Sequence, residues 1–403
     1  MNKVSLRDFP EIISKIQEGK SSLTNIHKQH IHTFRNPNPI YSKFYEILTD
    51  DLEEQEYQSL VPNKSNIHIG QFKLLLIEIR LIEYGLYELW SEGKLSTKGI
   101  KYGECDKPIV VIAPGGAVGH HFVDLCTLLP TIKLELFDIN EFSESLKDFP
   151  QIKCNKSYFT ENLAEEYKKK YSDTHIVIIV SDIRSADHRS SSRETIEQEV
   201  YNDMQMQDKW FRIINPDFCI YKFRTAYNYE DFNYNNTEML EYKGLDGELW
   251  FQSLVGSNST ELRLYAKKNC KYKIYDTNKI EKQCFYHNNV SRCNLYHHGY
   301  EGIYGLDSCY DCASIINTFT YHINLTKQKF PLVTTKFTNV IDILNQIMPK
   351  YIYKLKLIRF NGVSLVTTFA KSYICKLTKQ ERDNDDTNTG VKILCNDFIN
   401  LIT

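Results

Sequence analysis

Four charged residues occupy positions where the sequence is otherwise apolar. Lys73 falls on the first turn of an apolar helical pattern. Asp182 ends one apolar run, Lys222 lies inside another, and Glu261 stands at the start of a third. Each residue alone is more simply explained as a snorkelling lysine or a carboxylate at the protein surface. Together they suit alkyl transfer to a hydroxyl, because a lysine whose pKa is lowered by burial and a like-charged neighbour can remove the hydroxyl proton.

The elements that must position these residues alternate between helix and strand. Apolar residues at i, i+3 and i+4 predict a helix from Gly70 to Trp90. A capping box at 191–194 predicts a second helix through about Ile214. Such alternation predicts a mostly parallel, doubly wound α/β sheet with helices on both faces, which is a Rossmann-like fold. The predicted strands are 108–113, 132–139, 175–180, 218–223, 248–255 and 260–266, a further helix is predicted at 339–348, and a loop is predicted at 227–242.

A glycine-rich turn follows the first predicted strand. Gly115, Gly116 and Gly119 stand in this turn, and Asp138 ends the second strand about 19 residues further on. Such a turn lets backbone N–H groups approach a ligand, and the acid can accept hydrogen bonds from a ribose diol. Dinucleotides and S-adenosylmethionine both use this layout, but the G-x-G-x-x-G spacing that fits a pyrophosphate is missing. The turn therefore favours a ligand without a pyrophosphate, although a simple tight connection explains it equally well.

Four ordered motifs resemble a known family. They are 70–76 (GQFKLLL), 180–185 (VSDIRS), 215–224 (Asn-Pro running on to Lys-Phe-Arg) and 259–264 (STELRL). In this order they resemble the poxviral cap-specific mRNA 2′-O-methyltransferase family, whose members double as the small, regulatory subunit of the viral poly(A) polymerase. The resemblance covers about residues 65 to 320. It implies that Lys222 is the catalytic lysine and that Lys73, Asp182 and Glu261 complete a tetrad.

The same resemblance implies two binding sites, one for S-adenosylmethionine and one for capped mRNA. Asn140 replaces an arginine of the family, and the middle of the glycine turn also differs. Tyr227 falls where the family places an aromatic that stacks on the methylated cap base, with Tyr57 or Tyr41 as the second stacking ring. The implied cofactor residues are Gln71, Gly115, Gly119, Asp138, Asn140 and Thr160, and the implied cap or RNA residues are Tyr227, Arg224, Ser259, Thr260, Glu281 and Tyr57.

The composition of the chain limits which partners and which location are expected. The 403 residues carry 49 Lys and Arg against 51 Asp and Glu, so RNA must be bound by a local basic face. No apolar run approaches the length of a membrane span, and 11 cysteines without a secretion signal suggest reduced thiols. The chain is therefore expected to be cytoplasmic, in a virion or viral factory if viral, with no membrane partner. Expected boundaries are an N-terminal decoration (1–65), a methyltransferase core with cap-binding elements (66–330) and a C-terminal extension (331–403).

Two other functions fit part of the pattern. A non-catalytic capped-RNA-binding processivity subunit, paired with a poly(A) polymerase catalytic subunit, needs the fold but not a buried lysine base. A nicotinamide-dependent oxidoreductase needs the glycine turn. A zinc site is not expected from Cys309 and Cys312 with the upstream Cys284, His287, Cys293, His297 and His298, because a second regularly spaced CxxC is missing.

Overall fold

The computed structural model describes residues 46–56, 70–96, 106–186, 191–227, 241–256, 259–288, 310–328, 330–334 and 336–352. A seven-stranded sheet forms its centre, with the strand order β3-β2-β1-β4-β5-β8-β7. The first five strands of that order run parallel, while β8 is antiparallel to β5 and to β7. The described strands are β1 (Ile109–Pro114), β2 (Ile132–Asp138), β3 (Ile152–Lys156), β4 (Ile176–Ser181), β5 (Phe218–Phe223), β6 (Glu241–Leu245), β7 (Glu248–Trp250), β8 (Leu262–Lys267) and β9 (Tyr272–Asp276).

Helices cover both faces of this sheet, as expected for a Rossmann-like fold. Alternate residues of β1 point to opposite faces, so Val111 joins one hydrophobic cluster and Val110 the other. The predicted α/β class is confirmed. The described helices are α1 (Gly70–Ser91), α2 (His121–Leu128), α3 (Glu161–Tyr171), α4 (Arg193–Ile214), α5 (Thr277–Tyr286), α6 (Tyr310–Lys327) and α7 (Val340–Ile352). No helix within these described ranges is long and apolar enough to cross a membrane.

Three details of the sequence analysis are wrong. Helix α4 is capped by Ser192, whose hydroxyl accepts from the Thr195 N–H, so the predicted Ser191–Glu194 capping box does not form. Strand β7 ends at Trp250 instead of residue 255, and the segment that follows contains a turn in which Leu254 adopts a left-handed conformation (φ 58°). The stretch predicted as a polar loop to residue 242 ends inside β6, where the Tyr242 ring is buried.

The last described helix packs beside the start of the first. The Tyr351 ring of α7 stacks on Phe72 of α1 with ring centroids 4.9 Å apart. Its hydroxyl donates to Asp124 of α2 at 2.8 Å, and Lys350 pairs with the same carboxylate. Residues beyond 330 thus share the hydrophobic cluster of α1 and α2. The boundaries proposed at 65 and 330 remain predictions.

A buried acid on α4 gives the stability of the fold a pH dependence. Burial raises the pKa of Asp208 to about 7 from the ordinary value of 3.8, against the effect of a hydrogen bond from Tyr242 (2.8 Å). Asp208 is therefore protonated in the folded state at pH values where the unfolded chain ionises it. Its contribution to stability is full below pH 4 and is lost as the pH rises to about 7.

Asp208→Asn is expected to stabilise the protein by an amount that grows between about pH 4 and pH 7 and is constant above. The gain in unfolding free energy should be about 1.4 kcal/mol for each unit by which folding raises the pKa of Asp208. Asparagine keeps an acceptor for the Tyr242 hydroxyl but cannot ionise. Urea denaturation at pH 5 and pH 8 measures the difference. Asp148→Asn, at an exposed position, is the control, and an equal effect at both pH values for Asp208→Asn contradicts the prediction.

Candidate active site

Four elements bring the predicted tetrad together at the carboxyl ends of the central strands. Lys73 comes from the first turn of α1, Asp182 follows β4, and Lys222 lies in β5. Glu261 directly precedes β8 and pairs with Lys73. The Lys222 Nζ lies 3.3 Å from Asp182 Oδ1 and 3.5 Å from Glu261 Oε2. This is the edge where doubly wound sheets bind their ligands.

The structure adds a fifth charge, Arg263, which the sequence analysis quoted in a motif but did not select. Its side chain is 1% exposed and donates to Asp182 and, at 3.1 Å, to the Ser181 carbonyl. Gln252 links it to the rest of the cluster, because its carbonyl accepts from the Arg263 Nε at 2.9 Å and its NH₂ donates to Glu261 at 3.1 Å. The signal was available: Arg263 is a charge inside an apolar strand, like Lys222.

The cluster therefore contains three cations and two carboxylates. Burial lowers the pKa of Lys73, although Glu261 and Asp182 act in the opposite direction. Burial also acts to raise the pKa values of Asp182 and Glu261, but the neighbouring Lys222, Arg263 and Lys73 hold both below their usual range. Both carboxylates are consequently ionised at neutral pH. Loss of one lysine proton leaves the five groups without net charge, which favours a neutral amine in this buried place.

The glycine turn packs against the end of β4. Gly115 adopts φ 79°, and a Cβ there would lie 2.8 Å from the Ile183 nitrogen; Gly119 adopts φ 77°, with a Cβ 2.5 Å from the Gly116 carbonyl. Both glycines are thus required by the backbone itself. The Asp138 carboxylate accepts from the Ala117 N–H at 3.0 Å and from the Asn140 backbone and side chain. Asp138 and Asn140, both predicted cofactor residues, therefore shape this turn directly.

The surroundings of this turn offer apolar surface of the kind on which the face of an aromatic ring packs. Val118 and Ile139, which flank the turn and Asp138, are 50% and 46% exposed and offer uncovered apolar surface. Gln71 reaches the same region through His121, the first residue of α2 after the turn, at 2.9 Å. Thr160 caps α3, its hydroxyl accepting from the Leu163 N–H at 3.3 Å. Thr160 follows β3 at the same edge of the sheet, where Lys156 of β3 pairs with Asp138.

Several predicted cap residues lie together after the end of β5 and before the start of β8. The guanidinium of Arg224 lies 4.0 Å from the centre of the Tyr227 ring and is paired with buried Glu197 at 2.7 Å. Glu197 also accepts from the Tyr227 backbone N–H at 2.9 Å. Arg224, predicted to contact RNA, is itself buried and supports one face of the Tyr227 ring. Glu197 is a second residue that sequence reasoning missed, because its partners lie 27 and 30 positions away.

Helix α5 joins this group. The Thr260 N–H lies 3.4 Å from the Tyr227 hydroxyl, and the Cys284 thiol of α5 contacts the Thr260 carbonyl at 3.9 Å. Glu281, buried, lies one turn before Cys284 on the same helix face. Ser259 is held through its carbonyl, which accepts from Asn288 at 2.7 Å. The alternatives Tyr57 and Tyr41 fall outside the described residues.

The thiols and imidazoles considered for zinc are only partly described. Burial raises the pKa of the Cys284 thiol, and Glu281 adds to that effect. Cys293, His297, His298 and Cys309 lie outside the described residues, as does the side chain of Cys312. Within the described part of the chain, no group of three or more His, Cys, Asp or Glu side chains is placed to hold a metal ion.

A mostly parallel sheet with a glycine turn after its first strand, and ionisable groups at its carboxyl edge, defines a Rossmann-like α/β protein. The model of the family described as Poly A polymerase regulatory subunit matches residues 35–346. The chain belongs to this family, and the resemblance found in the four motifs is confirmed. The match extends beyond the segment of about 65 to 320 at both ends.

Two further comparisons complete these findings. No curated protein sequence matches the chain significantly. Among solved structures, the chain is similar to bluetongue virus VP4, described as a multifunctional RNA-capping production-line, with 11% identity and a TM-score of 0.36. The alignment covers 72% of this chain and 43% of that one, so the chain spans less than half the length of that protein.

Proposed function

We propose that this protein transfers a methyl group from S-adenosylmethionine to the 2′-hydroxyl of the first transcribed nucleotide of capped mRNA. The observation that carries this proposal is the buried cluster of two lysines, one arginine and two carboxylates at the carboxyl edge of the sheet. A protein that only binds RNA does not need to desolvate a lysine amine. Membership of a family of viral polymerase subunits supports mRNA as the substrate.

Lys222 is the proposed base. Its side chain is 12% exposed against 6% for Lys73, so it is the more accessible of the two lysines. Glu261 bridges the two amines, with Oε1 on Lys73 and Oε2 near Lys222. The two amines therefore share one carboxylate, and Lys222 in its neutral form can accept the proton of the 2′-hydroxyl. Asp182 holds Lys222 in place, and Arg263 in turn holds Asp182. Loss of the accepted proton to solvent returns the cluster to its resting charge.

The cofactor would be held by Gln71, the backbone of the glycine turn at Gly115 and Gly119, and Asp138, with Asn140 and Thr160 at the rim. Bound S-adenosylmethionine supplies an electrophilic methyl on a sulfonium sulfur. The chain itself orients the hydroxyl, excludes water by burying the cluster, and removes the proton as the new carbon–oxygen bond replaces the carbon–sulfur bond. Positioning of the hydroxyl by fixed charges is its main contribution.

Transfer of tritiated methyl from S-adenosylmethionine to short RNA with a 7-methylguanosine cap tests the proposal. RNA that already carries the 2′-O-methyl group at its first nucleotide is the matched control and should accept no label. Absence of transfer to the unmodified RNA, with intact cap binding, would contradict the proposed methyltransferase activity. Mass spectrometry of ligand that copurifies separates S-adenosylmethionine or its product from a nicotinamide dinucleotide.

Tyr227 is expected to carry a large share of the affinity for the cap. Tyr227→Leu should weaken binding of a 7-methylguanosine dinucleotide by about tenfold to a hundredfold, because base stacking on an aromatic ring contributes about 1–3 kcal/mol. Tyr227→Phe keeps the ring and loses only the hydroxyl near Thr260, so it should bind nearly as the unmodified protein does. Fluorescence titration measures both. Equal losses in the two variants contradict stacking on this ring.

A second role is favoured by the family itself. We propose that the chain also acts as a regulatory, processivity subunit and binds a poly(A) polymerase catalytic subunit as a heterodimer. We propose the cytoplasm, in viral factories or the virion, as its location, and the viral setting of that family supports this. Co-expression with such a catalytic subunit, followed by size-exclusion chromatography and measurement of poly(A) tail length, tests this role. A Lys222→Ala variant that still lengthens tails would separate it from methyl transfer.

A further inference from the structure

A further arginine follows Asp182 along the chain. Arg184 lies just beyond the carboxyl end of β4, and its side chain is 15% exposed. Its Nη1 lies 3.6 Å from the Asp203 carboxylate of α4, which is an ion pair but is too long for a hydrogen bond. Its Nη2 is buried, and no residue in the described part of the chain accepts a hydrogen bond from it. The fold described here thus leaves a donor of Arg184 for a ligand.

The Asp203 carboxylate is engaged by Ser185. The Ser185 N–H donates to Oδ2 of Asp203 at 2.9 Å, and the Ser185 hydroxyl donates to Oδ1 at 2.8 Å. Both carboxylate oxygens therefore already accept a hydrogen bond. The charge of Arg184 is permanent, because a guanidinium keeps its proton in proteins. A positive charge with only a long ion pair is consequently fixed at this place.

Arg184 lies within electrostatic range of the reacting groups. Burial lowers the pKa of Arg184, and the carboxylates of Glu261 and Asp182 act in the opposite direction. Arg224, whose guanidinium lies against the Tyr227 ring, is a second cation that lowers it. Arg184 is therefore close both to the charged cluster and to the predicted cap residues.

The RNA of the proposed function carries a negative charge beside the reacting hydroxyl. The carbon that bears the 2′-hydroxyl is bonded to the carbon that bears the 3′-phosphodiester, which joins the first nucleotide to the second. If Lys222 takes the proton of that hydroxyl, this phosphodiester must lie beside the cluster. The ionised carboxylates of Asp182 and Glu261 repel it, and a cation with a free donor offsets this repulsion.

We propose that Arg184 binds the phosphodiester between the first and second nucleotides of the RNA and so positions the first ribose against Lys222. A guanidinium suits this role, because its planar fork matches the geometry of phosphate oxygens. Every RNA sequence contains this group, so the contact positions the RNA without reading its bases. The inference rests on the acceptor hydroxyl assigned in the proposed function.

Two short capped RNAs that differ in one linkage test the proposal. One carries the ordinary phosphodiester between its first and second nucleotides, and the other carries a neutral methylphosphonate there. The unmodified protein should bind the phosphodiester form more tightly by about tenfold to a hundredfold, the range of one hydrogen bond to a charged group. Arg184→Met should bind the two RNAs alike, measured by fluorescence titration on the full chain. Arg184→Gln, which keeps a polar side chain beside Asp203, should do the same and covers the case in which Arg184→Met does not fold.

Lys209→Met is the matched control for net charge. Lys209 lies near the end of α4, its side chain is 61% exposed, and it pairs with Glu161 of α3 at 3.3 Å. This variant loses one positive charge, as Arg184→Met does, but should keep the full preference for the phosphodiester. Equal affinities for the two RNAs in the unmodified protein, or an undiminished preference in both Arg184 variants, overturn the proposal.

Methyl transfer measured in parallel separates this inference from the proposed function. Transfer by the unmodified protein, with equal affinities for the two RNAs, overturns only the role of Arg184. The expected difference in affinity without any transfer contradicts the methyltransferase activity and supports Arg184 as the residue that binds this phosphodiester. Binding of neither RNA contradicts both.

Discussion

Replacing Lys222 with alanine is expected to lower methyl transfer to capped RNA by about a hundredfold to ten-thousandfold, the range that a positioned base contributes. The Lys222 amine lies 3.3 Å from Asp182 and 3.5 Å from Glu261, and the Lys222 side chain is more exposed than that of Lys73. Single-turnover transfer of labelled methyl measures the effect. Affinity for S-adenosylhomocysteine should be nearly unchanged, because the predicted cofactor residues lie around the glycine turn.

Lys222→Arg is the matched control for charge. It keeps a cation between Asp182 and Glu261 but holds its proton at any working pH. If Lys222 acts as the base, the arginine variant should be as inactive as the alanine variant while folding normally. Near-normal turnover in either variant would mean that another group takes the proton, and Lys73 would then be the first residue to replace.

Arg263→Met is expected to cost about 3–5 kcal/mol of unfolding free energy, the effect of removing one partner of a buried ion pair. The substitution removes the hydrogen bonds that Arg263 donates to the Asp182 carboxylate and to the Ser181 carbonyl, and it leaves Asp182 paired with Lys222. Methyl transfer should fall as well, because Asp182 and Gln252 lose the group that fixes them. Urea denaturation and the transfer assay measure the two effects separately.

A double variant separates stability from catalysis. Arg263→Met with Asp182→Leu replaces both partners by apolar side chains, and much of the lost stability should return, since buried ion pairs are often replaced in this way at little cost. Transfer should stay low, because Lys222 has then lost its neighbour. Recovery of transfer together with stability would show that Asp182 and Arg263 serve only the fold.

The sequence predicted the centre of the fold well. Continuous apolar runs defined β1, β4 and β5 to within a residue, because strands buried on both faces have few polar positions. It missed β3 and β9, whose residues alternate with exposed polar ones and resemble loops. Helix α6 was missed for a different reason: its sequence mixes polar and apolar residues, and its contacts with α1 and α7 cannot be seen from a local pattern.

The candidate site was likewise predicted only in part from the sequence. A charge inside an apolar run is visible in the sequence, so the tetrad was found, and Arg263 satisfies the same criterion. The partners that orient these groups are not visible. His121 and Glu197 act through residues 43 and 27 positions away, and such distances along the chain are joined only by folding. Without the family resemblance, the residues alone supported alkyl transfer to a hydroxyl but did not identify which hydroxyl.

The stacking of Tyr351 on Phe72 has a consequence for synthesis on the ribosome. The first turn of α1, which carries Gln71 and Lys73, is covered by a ring that emerges almost three hundred residues later. Until then the first turn of this apolar helix lacks that ring, and exposed apolar surface makes incomplete chains prone to aggregation. Synthesis of α7, rather than completion of the sheet, is thus the step that supplies this cover.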